Sequence, residues 1–331
     1  MRKRYFILAA FAAILLLLGG AGAMMYSPHA RESSAPVEIP VGASLRGIAD
    51  ILSDHDVVGN RWVFIIAAKL SDKGTRLQSG LYLFPNPLSI ADAIDILAAG
   101  SHQAYKNVTI REGLTLTQIA QTLQKHAGYP ADSVLALARD RTFISNLGLS
   151  VPSLEGYLLP ETYRVRYDER LPDFLRRLVR ANDALFDAEA TDRMRELRRS
   201  RHEILTMASL VEGETRLAEE RARVAGVYYN RLRRGMLLQA DPTVQYIIPD
   251  GPRRLLYRDL SINSPYNTYM YAGLPPGPVN NPGHEAIEAA LHPERHEFLY
   301  FVADGYGGHT FSRTLDEHNR AVAVYRKNRR N

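Results

Sequence analysis

Residues 37–52 read VEIPVGASLRGIADIL, and residues 108–123 read VTIREGLTLTQIAQTL. Both follow one form, V-x-I-x-x-G-x-[S/T]-L-x-x-I-A-x-x-L. Its physical reading is a short strand, a glycine turn, a Ser/Thr helix cap and an amphipathic helix. Ser44 and Thr115 are the expected caps. Leu45, Ile48, Ala49 and Leu52 form one apolar face by helical spacing, as do Leu116, Ile119, Ala120 and Leu123. Residues 80–97, GLYLFPNPLSIADAIDIL, are a looser third version with Ser89 as cap. Two or three imperfect units do not make a solenoid. They point to a small α/β module followed by a related element, and so to an α+β chain.

Between the copies, residues 60–70 (NRWVFIIAAKL) read as a helix and 79–84 (SGLYLF) as a strand. Residues 37–85 therefore run strand–helix–helix–strand. That order resembles a LysM module, a binder of N-acetylglucosamine polymers; the plain alternative is a small packing domain.

Outward from this module, the N-terminal side is distinctive. Arg2, Lys3 and Arg4 precede residues 5–26, YFILAAFAAILLLLGGAGAMMY, which carry no charge. At about 1.5 Å per residue that stretch can cross a hydrocarbon core about 30 Å thick. The basic flank should stay cytoplasmic, leaving the rest outside. Ala21-Gly22-Ala23 also resembles a cleavage site, but the run exceeds a signal h-region, so a retained single transmembrane helix is expected. The expected organisation is a tail at 1–4, an anchor at 5–26, a linker at 27–36, a module at 37–105 and a second region at 106–331.

The chain has 331 residues, with 41 basic against 36 acidic, a net +5. That mild excess suits an anionic partner such as a membrane or cell wall. There is no cysteine, which excludes disulfides and thiolate chemistry. No GxxxxGK[ST] or strand-borne GxGxxG occurs, so no nucleotide or nucleic-acid partner is expected. The histidines lack an HExxH arrangement, and neither a metal nor any other cofactor is expected.

Residues 131–147 and 171–199 read as helical and charged, the latter mostly a solvated face. Residues 153–163, SLEGYLLPETY, read as a structured loop. Residues 202–224 read as one long helix, or a helix broken near Gly213. Within it MASLVEGET (207–215) brings two carboxylates to the end of an apolar run. Glu212 leaves from the edge of the apolar stripe, where desolvation should raise its pKa towards that of a general acid. The alternative is a Glu paired with Arg216 or Arg223. Glu214 points roughly 200° away around the helix. Glu219 and Glu220 are expected to be exposed. After this helix, Gln239 and Asp241 precede Pro242, and residues 264–283 (SPYNTYMYAGLPPGPVNNPG) combine tyrosines with a Pro/Gly loop. Aromatic faces and amide side chains are a common means of gripping a sugar. Residues 299–319 read as a hairpin followed by a helix, with His309 and Phe311 on one face.

Taken together, ASLVEGET, NRL-x-x-GM-x-LQ-x-DPTV-x-Y, YNTY, GLPPGP with NPG, and LYFVADG-x-GGHTF resemble the endolytic murein transglycosylase, or YceG-like, family. SLEGYLLPETY and the repeated V-x-I-x-x-G elements resemble it too. The resemblance implies an inner-membrane protein with a LysM-like region and a mixed α+β catalytic region facing the wall. It implies cleavage between N-acetylmuramic acid and N-acetylglucosamine within peptidoglycan strands, and work beside penicillin-binding synthases that limits strand length. It maps the catalytic acid onto Glu212, the first acid of its motif, and sugar subsites onto Gln239, Asp241, Tyr266, Asn267 and Tyr269, with Glu161 near the cleft. The family commonly has Lys where this chain has Gly213. Two readings compete: a muramidase with a second carboxylate at Glu161, Glu214 or Asp241, and a non-catalytic wall scaffold.

Overall fold

The structure, a computed structural model, describes residues 19–20, 22–31, 35–167, 169–248, 251 and 253–328. Most of the expected anchor, 5–26, lies outside the described residues. Among the described residues no helix is long and apolar enough to cross a membrane. The chain divides into two compact units: Met1–Lys106 with Arg164–Glu169, and Asn107–Tyr163 with Arg170–Asn331.

In the first unit β1 (Val37–Ile39) leads to α1 (Leu45–Asp54) and α2 (Arg61–Leu70). The chain then returns as β2 (Gly80–Tyr82) and ends in α3 (Ile90–Ala99). β1 and β2 pair antiparallel, Val37 opposite Tyr82 and Ile39 opposite Gly80. The caps form as the sequence requires. Ser44 accepts the Gly47 N–H, and Ser89 closes a capping box with Asp92. Asn60 caps α2 by accepting from Trp62 and Val63. Ile48, Ala49 and Leu52 pack with Phe64, Tyr82 and Leu97 into one apolar core.

The second unit is mostly helical. β3 (Tyr105–Thr109) and β4 (Thr162–Arg166) each cross the boundary between units. Within the second unit, Ile110 N–H donates to Glu161 C=O at 3.0 Å. Helices α4 (Leu116–His126), α5 (Ala131–Leu137), α6 (Arg141–Asn146), α7 (Leu171–Asp183) and α8 (Ala188–Leu197) follow. Next come α9 (Arg201–Glu214), α10 (Ala218–Arg233), α11 (Asp241–Ile247) and α12 (His284–Leu291). The hairpin β5 (Tyr300–Ala303) and β6 (His309–Ser312) and then α13 (Leu315–Asn328) complete the chain. Thr115 and Gln118 form the expected capping box on α4. Gly42 and Gly113, the glycines of the two repeats, have φ of +79° and +73°. Only glycine takes that left-handed conformation without strain, which explains its place before each cap.

Two expectations are corrected here. The single long helix expected at 202–224 is two helices, parted at Thr215–Leu217, close to the break near Gly213 that is the other reading; there Thr215 Oγ1 accepts the Leu217 N–H. Glu220, expected in solvent, is buried. It accepts from the backbone and ring of His309, at 2.8 and 2.6 Å, where the hairpin folds back onto α10.

Candidate active site

Helix α9 is the pillar of the site. Ser200 and Glu203 close a capping box at its start, and every residue from Ile204 to Val211 is buried. A helix apolar on all sides must be wrapped on all sides. Here α10, α11 and α12 pack around it. Its polar Ser209 fastens the Pro/Gly loop. Ser209 Oγ accepts the Val279 N–H at 3.0 Å, and Ser209 C=O accepts from the Asn280 amide at 2.8 Å.

Asn281 extends that fastening to two other loops. Its Oδ1 accepts the N–H groups of Gly156 and Leu158, and its Nδ2 donates to Leu114 C=O and Glu155 Oε1. The motifs SLEGY, REGLT and NNPG thus meet at one fully buried amide. Glu155 also accepts the Leu116 N–H. Burial pushes its carboxyl up to about 7, against the pull of Leu116 and of the Tyr246 hydroxyl.

The end of α9 sends its two carboxylates different ways. Glu212 turns into an ion cluster. Its Oε2 accepts the Gly283 N–H at 3.0 Å, and its Oε1 lies 3.5 Å from Arg221 Nη2. Arg221 is also 2.6 Å from Glu285 and 3.5 Å from Glu112. Glu212 and Arg221 are each only 7% exposed, while Glu112 and Glu285 form an open rim. Burial raises the Glu212 pKa most, opposed by Gly283 and Arg221 and assisted by the two rim carboxylates.

Glu214 turns into open space. It lines a cavity of about 360 Å³ together with Arg231, Gln239, Asp241 and Tyr269. It also lines a second cavity of about 450 Å³, with Asp241, Gln245, Tyr246 and Asn280. Glu214 and Asp241 stand in both walls, so the two cavities adjoin at these residues. Glu212 lines neither. Tyr228 donates to Glu214 Oε1 at 2.6 Å. Burial is the largest influence on Glu214 and pushes it up to about 7; the bonds from Tyr228 and the Asp241 backbone act the other way. Its residue surface is nonetheless partly open. A desolvated carboxyl that a ligand can still reach is the arrangement of a general acid near neutral pH.

The other expected residues divide. Gln239 is exposed, with φ +49° and its N–H on Thr268 C=O. Asp241 opens α11 and accepts the Tyr269 hydroxyl at 2.5 Å. Tyr266 lies against Tyr246, ring centroids 5.1 Å apart. Asn267 is fully buried; its Nδ2 donates to Leu260 and Ile262 and its Oδ1 accepts from Tyr269, so it pins the loop. Glu161 is exposed at the start of β4 and lines neither cavity. Sequence reasoning missed Arg221, Tyr228, Arg231, Tyr246 and Asn281. Asn281, Arg231 and Tyr246 carried a signal, lying in the NPG, NRL and DPTV-x-Y motifs; Arg221 and Tyr228 carried none. Gly213 faces Pro242: a Cβ there would come within 2.5 Å of the proline ring. This chain accordingly accommodates no side chain there without a shift of α11.

These features define an α+β protein whose larger unit centres on a buried but reachable carboxyl. The chain belongs to the YceG-like family, whose pattern matches residues 37–324. It is 36% identical over 330 residues to the endolytic murein transglycosylase of Bacillus subtilis, covering 94% of this chain and 91% of that one. It is 31% identical over 357 residues to the Streptococcus pneumoniae protein of the same name, covering 95% of this chain but 64% of the relative. The crystal structure of a YceG-like protein from Listeria monocytogenes matches with a TM-score of 0.61 at 34% identity, over 86% of this chain and 98% of that one.

Proposed function

We propose that this chain is an endolytic lytic transglycosylase. It cleaves the bond from N-acetylmuramic acid to N-acetylglucosamine inside peptidoglycan strands and leaves 1,6-anhydro ends. The carrying observation is Glu214, which stands where two cavities adjoin and is held near neutral pKa. The family and the names of the relatives point to the same reaction. Glu214, rather than Glu212, is the acid in this reading, because Glu212 is committed to Gly283 and Arg221.

One carboxyl suffices for the chemistry. Protonated Glu214 donates to the glycosidic oxygen as the C1–O bond breaks. The substrate's acetamido oxygen shields the positive charge growing at C1. The Glu214 carboxylate then takes the proton of the C6 hydroxyl, whose oxygen bonds to C1. Glu214 ends protonated, the sugar is a 1,6-anhydro ring, and no water is consumed. The two cavities would take the sugars on either side of the broken bond. Gln239, Asp241 and Tyr269 belong to one, and Tyr246, backed by Tyr266, to the other. Asn267 and Glu161 have no contact role in this reading.

The remaining parts follow the same reading. The apolar run within residues 5–26 anchors the chain in the inner membrane with the folded units outside, supported by its lack of charge after Arg2-Lys3-Arg4. Residues 37–105 form a LysM-like module, supported by the order strand–helix–helix–strand. Residues 106–331 form the catalytic region. Penicillin-binding synthases are the proposed neighbours, and strand termination the proposed role.

Mass spectrometry of muropeptides tests the reaction. Full-length protein in detergent is incubated with purified peptidoglycan, beside Glu214→Gln and Glu212→Gln. New anhydro ends from the wild type, absent with Glu214→Gln and retained with Glu212→Gln, support the reading. Reducing muramic acid ends would mean a hydrolase, with Asp241 as second carboxylate. No cleavage even with nascent strands and a synthase would leave a scaffold. Loss with Glu212→Gln alone would return the acid to Glu212.

A further inference from the structure

Helix α2 carries an apolar stripe that its own unit leaves uncovered. Trp62, Ile66 and Leu70 recur every fourth residue and so share one face. They are 54%, 57% and 83% exposed. The opposite face is buried through Phe64, Ile65, Ala67 and Ala68. Large apolar side chains aligned in the open mark an interaction surface.

The chain just ahead of the unit says what covers the stripe. Residues 22–26 are helical, and Met25 packs against the unit's core. His29 exchanges backbone hydrogen bonds with Leu88 at 2.8 and 3.0 Å, and its ring meets Asp56 at 2.8 Å. Arg31 donates to Phe84 C=O at 2.5 Å. The segment is therefore bolted to this unit. Met24 lines a cavity of about 230 Å³ with Gly59 and Asn60, and Asn60 is the cap of α2. The stripe thus starts two residues from the point where the N-terminal segment meets the unit. Ahead of that segment, residues 5–18 are uncharged and almost wholly apolar.

We propose that Trp62, Ile66 and Leu70 rest in the surface of the lipid bilayer that the N-terminal apolar segment enters. The inference rests on the anchor reading above. The chemistry of the helix fits a bilayer surface. Arg61 stacks over the Trp62 ring at 4.7 Å, and Lys69 stands in the last turn. An indole beside basic side chains, with aliphatic residues along the same face, is the composition of helices that lie at the headgroup level. Docked this way, α2 fixes how the first unit stands on the membrane and adds a second attachment to the anchor.

Trp62 is the only tryptophan in the chain, which makes the test direct. Full-length protein is reconstituted into vesicles of phosphatidylethanolamine and phosphatidylglycerol, with or without lipids brominated near the headgroup end of the acyl chains. Flotation separates the protein that has inserted. The expected result is a blue-shifted Trp62 emission that brominated lipid quenches by roughly half or more. Ile66→Glu with Leu70→Glu, both at exposed sites, should lose that quenching while still floating. Red, unquenched emission from floating protein overturns the proposal. A blue shift that grows with protein density, insensitive to bromine, assigns the stripe to a second copy and also overturns it. Failure of the chain to float removes the anchor and this inference with it, leaving the muropeptide result unaffected.

Discussion

Tyr228, on α10, gives its hydroxyl hydrogen to Glu214 Oε1, at the end of α9, at 2.6 Å. That bond favours the ionised carboxylate and opposes the burial that pushes Glu214 up to about 7. The proposed acid must be protonated to start the reaction. Activity should therefore fall as pH rises through about 7. In Tyr228→Phe the restraint is gone, the Glu214 pKa rises further, and the alkaline limb should move up by about one pH unit. The profile of kcat/KM against pH reads this. An unmoved limb would mean that another group sets it.

Glu214→Gln should lower kcat by about 10²–10⁴-fold, the usual contribution of a general acid. It should also change stability in a pH-dependent way. The folded pKa of Glu214 lies above its unfolded value, so its contribution is fully present below about 4 and is lost as pH rises through about 7. Gln cannot ionise and escapes that loss. The variant should equal the wild type near pH 4 and exceed it by about 1–3 kcal/mol at pH 8. Denaturant melts at the two pH values check both halves.

Asn281 is the densest polar junction of the site, with four side-chain bonds to two other loops. Asn281→Ala strands the N–H groups of Gly156 and Leu158 inside the protein. The expected loss is about 2–4 kcal/mol, at the upper end for single substitutions. Because Glu155 loses a donor, its pKa should rise beyond about 7. Thermal melts read the first effect, and a carbon-13 carboxyl titration the second.

What could be read from the sequence was local. Ser44, Ser89 and Thr115 are caps because each faces an amide three residues on, and that geometry needs nothing from elsewhere. The 300–312 hairpin is equally local, with Phe301 opposite Phe311. The opposite aims of Glu212 and Glu214 followed from helical spacing. Which of them meets a cavity did not, because Gly283 and Arg221 claim Glu212 from 71 and 9 positions away, through loop packing that no periodicity encodes. Glu220 was misjudged for the same reason, its partner being His309 on a distant hairpin. Asn267 carries the chemistry of a sugar contact, and only its burial shows that the loop uses all of it.

Arg221 and Glu212 offer the last test, of a pair that the proposed reading makes structural. Both are buried, and Arg221 is the cation that three carboxylates share. Arg221→Met leaves Glu212 desolvated beside Glu112 and Glu285 with only Gly283 to satisfy it. The cost should be about 3–5 kcal/mol at pH 8, as for other broken buried pairs. Protonation of Glu212 relieves it, so the loss should shrink at pH 5. Glu212→Gln keeps an acceptor for Gly283 and should cost less, about 1–2 kcal/mol. Combining the two removes both the stranded charge and its partner. The double variant should then be more stable than Arg221→Met alone, a non-additivity of about 1–3 kcal/mol. Denaturant melts of the four proteins give the cycle. Additive losses would mean that Arg221 acts through Glu285 at the rim, and that Glu212 is free to take part in the chemistry after all.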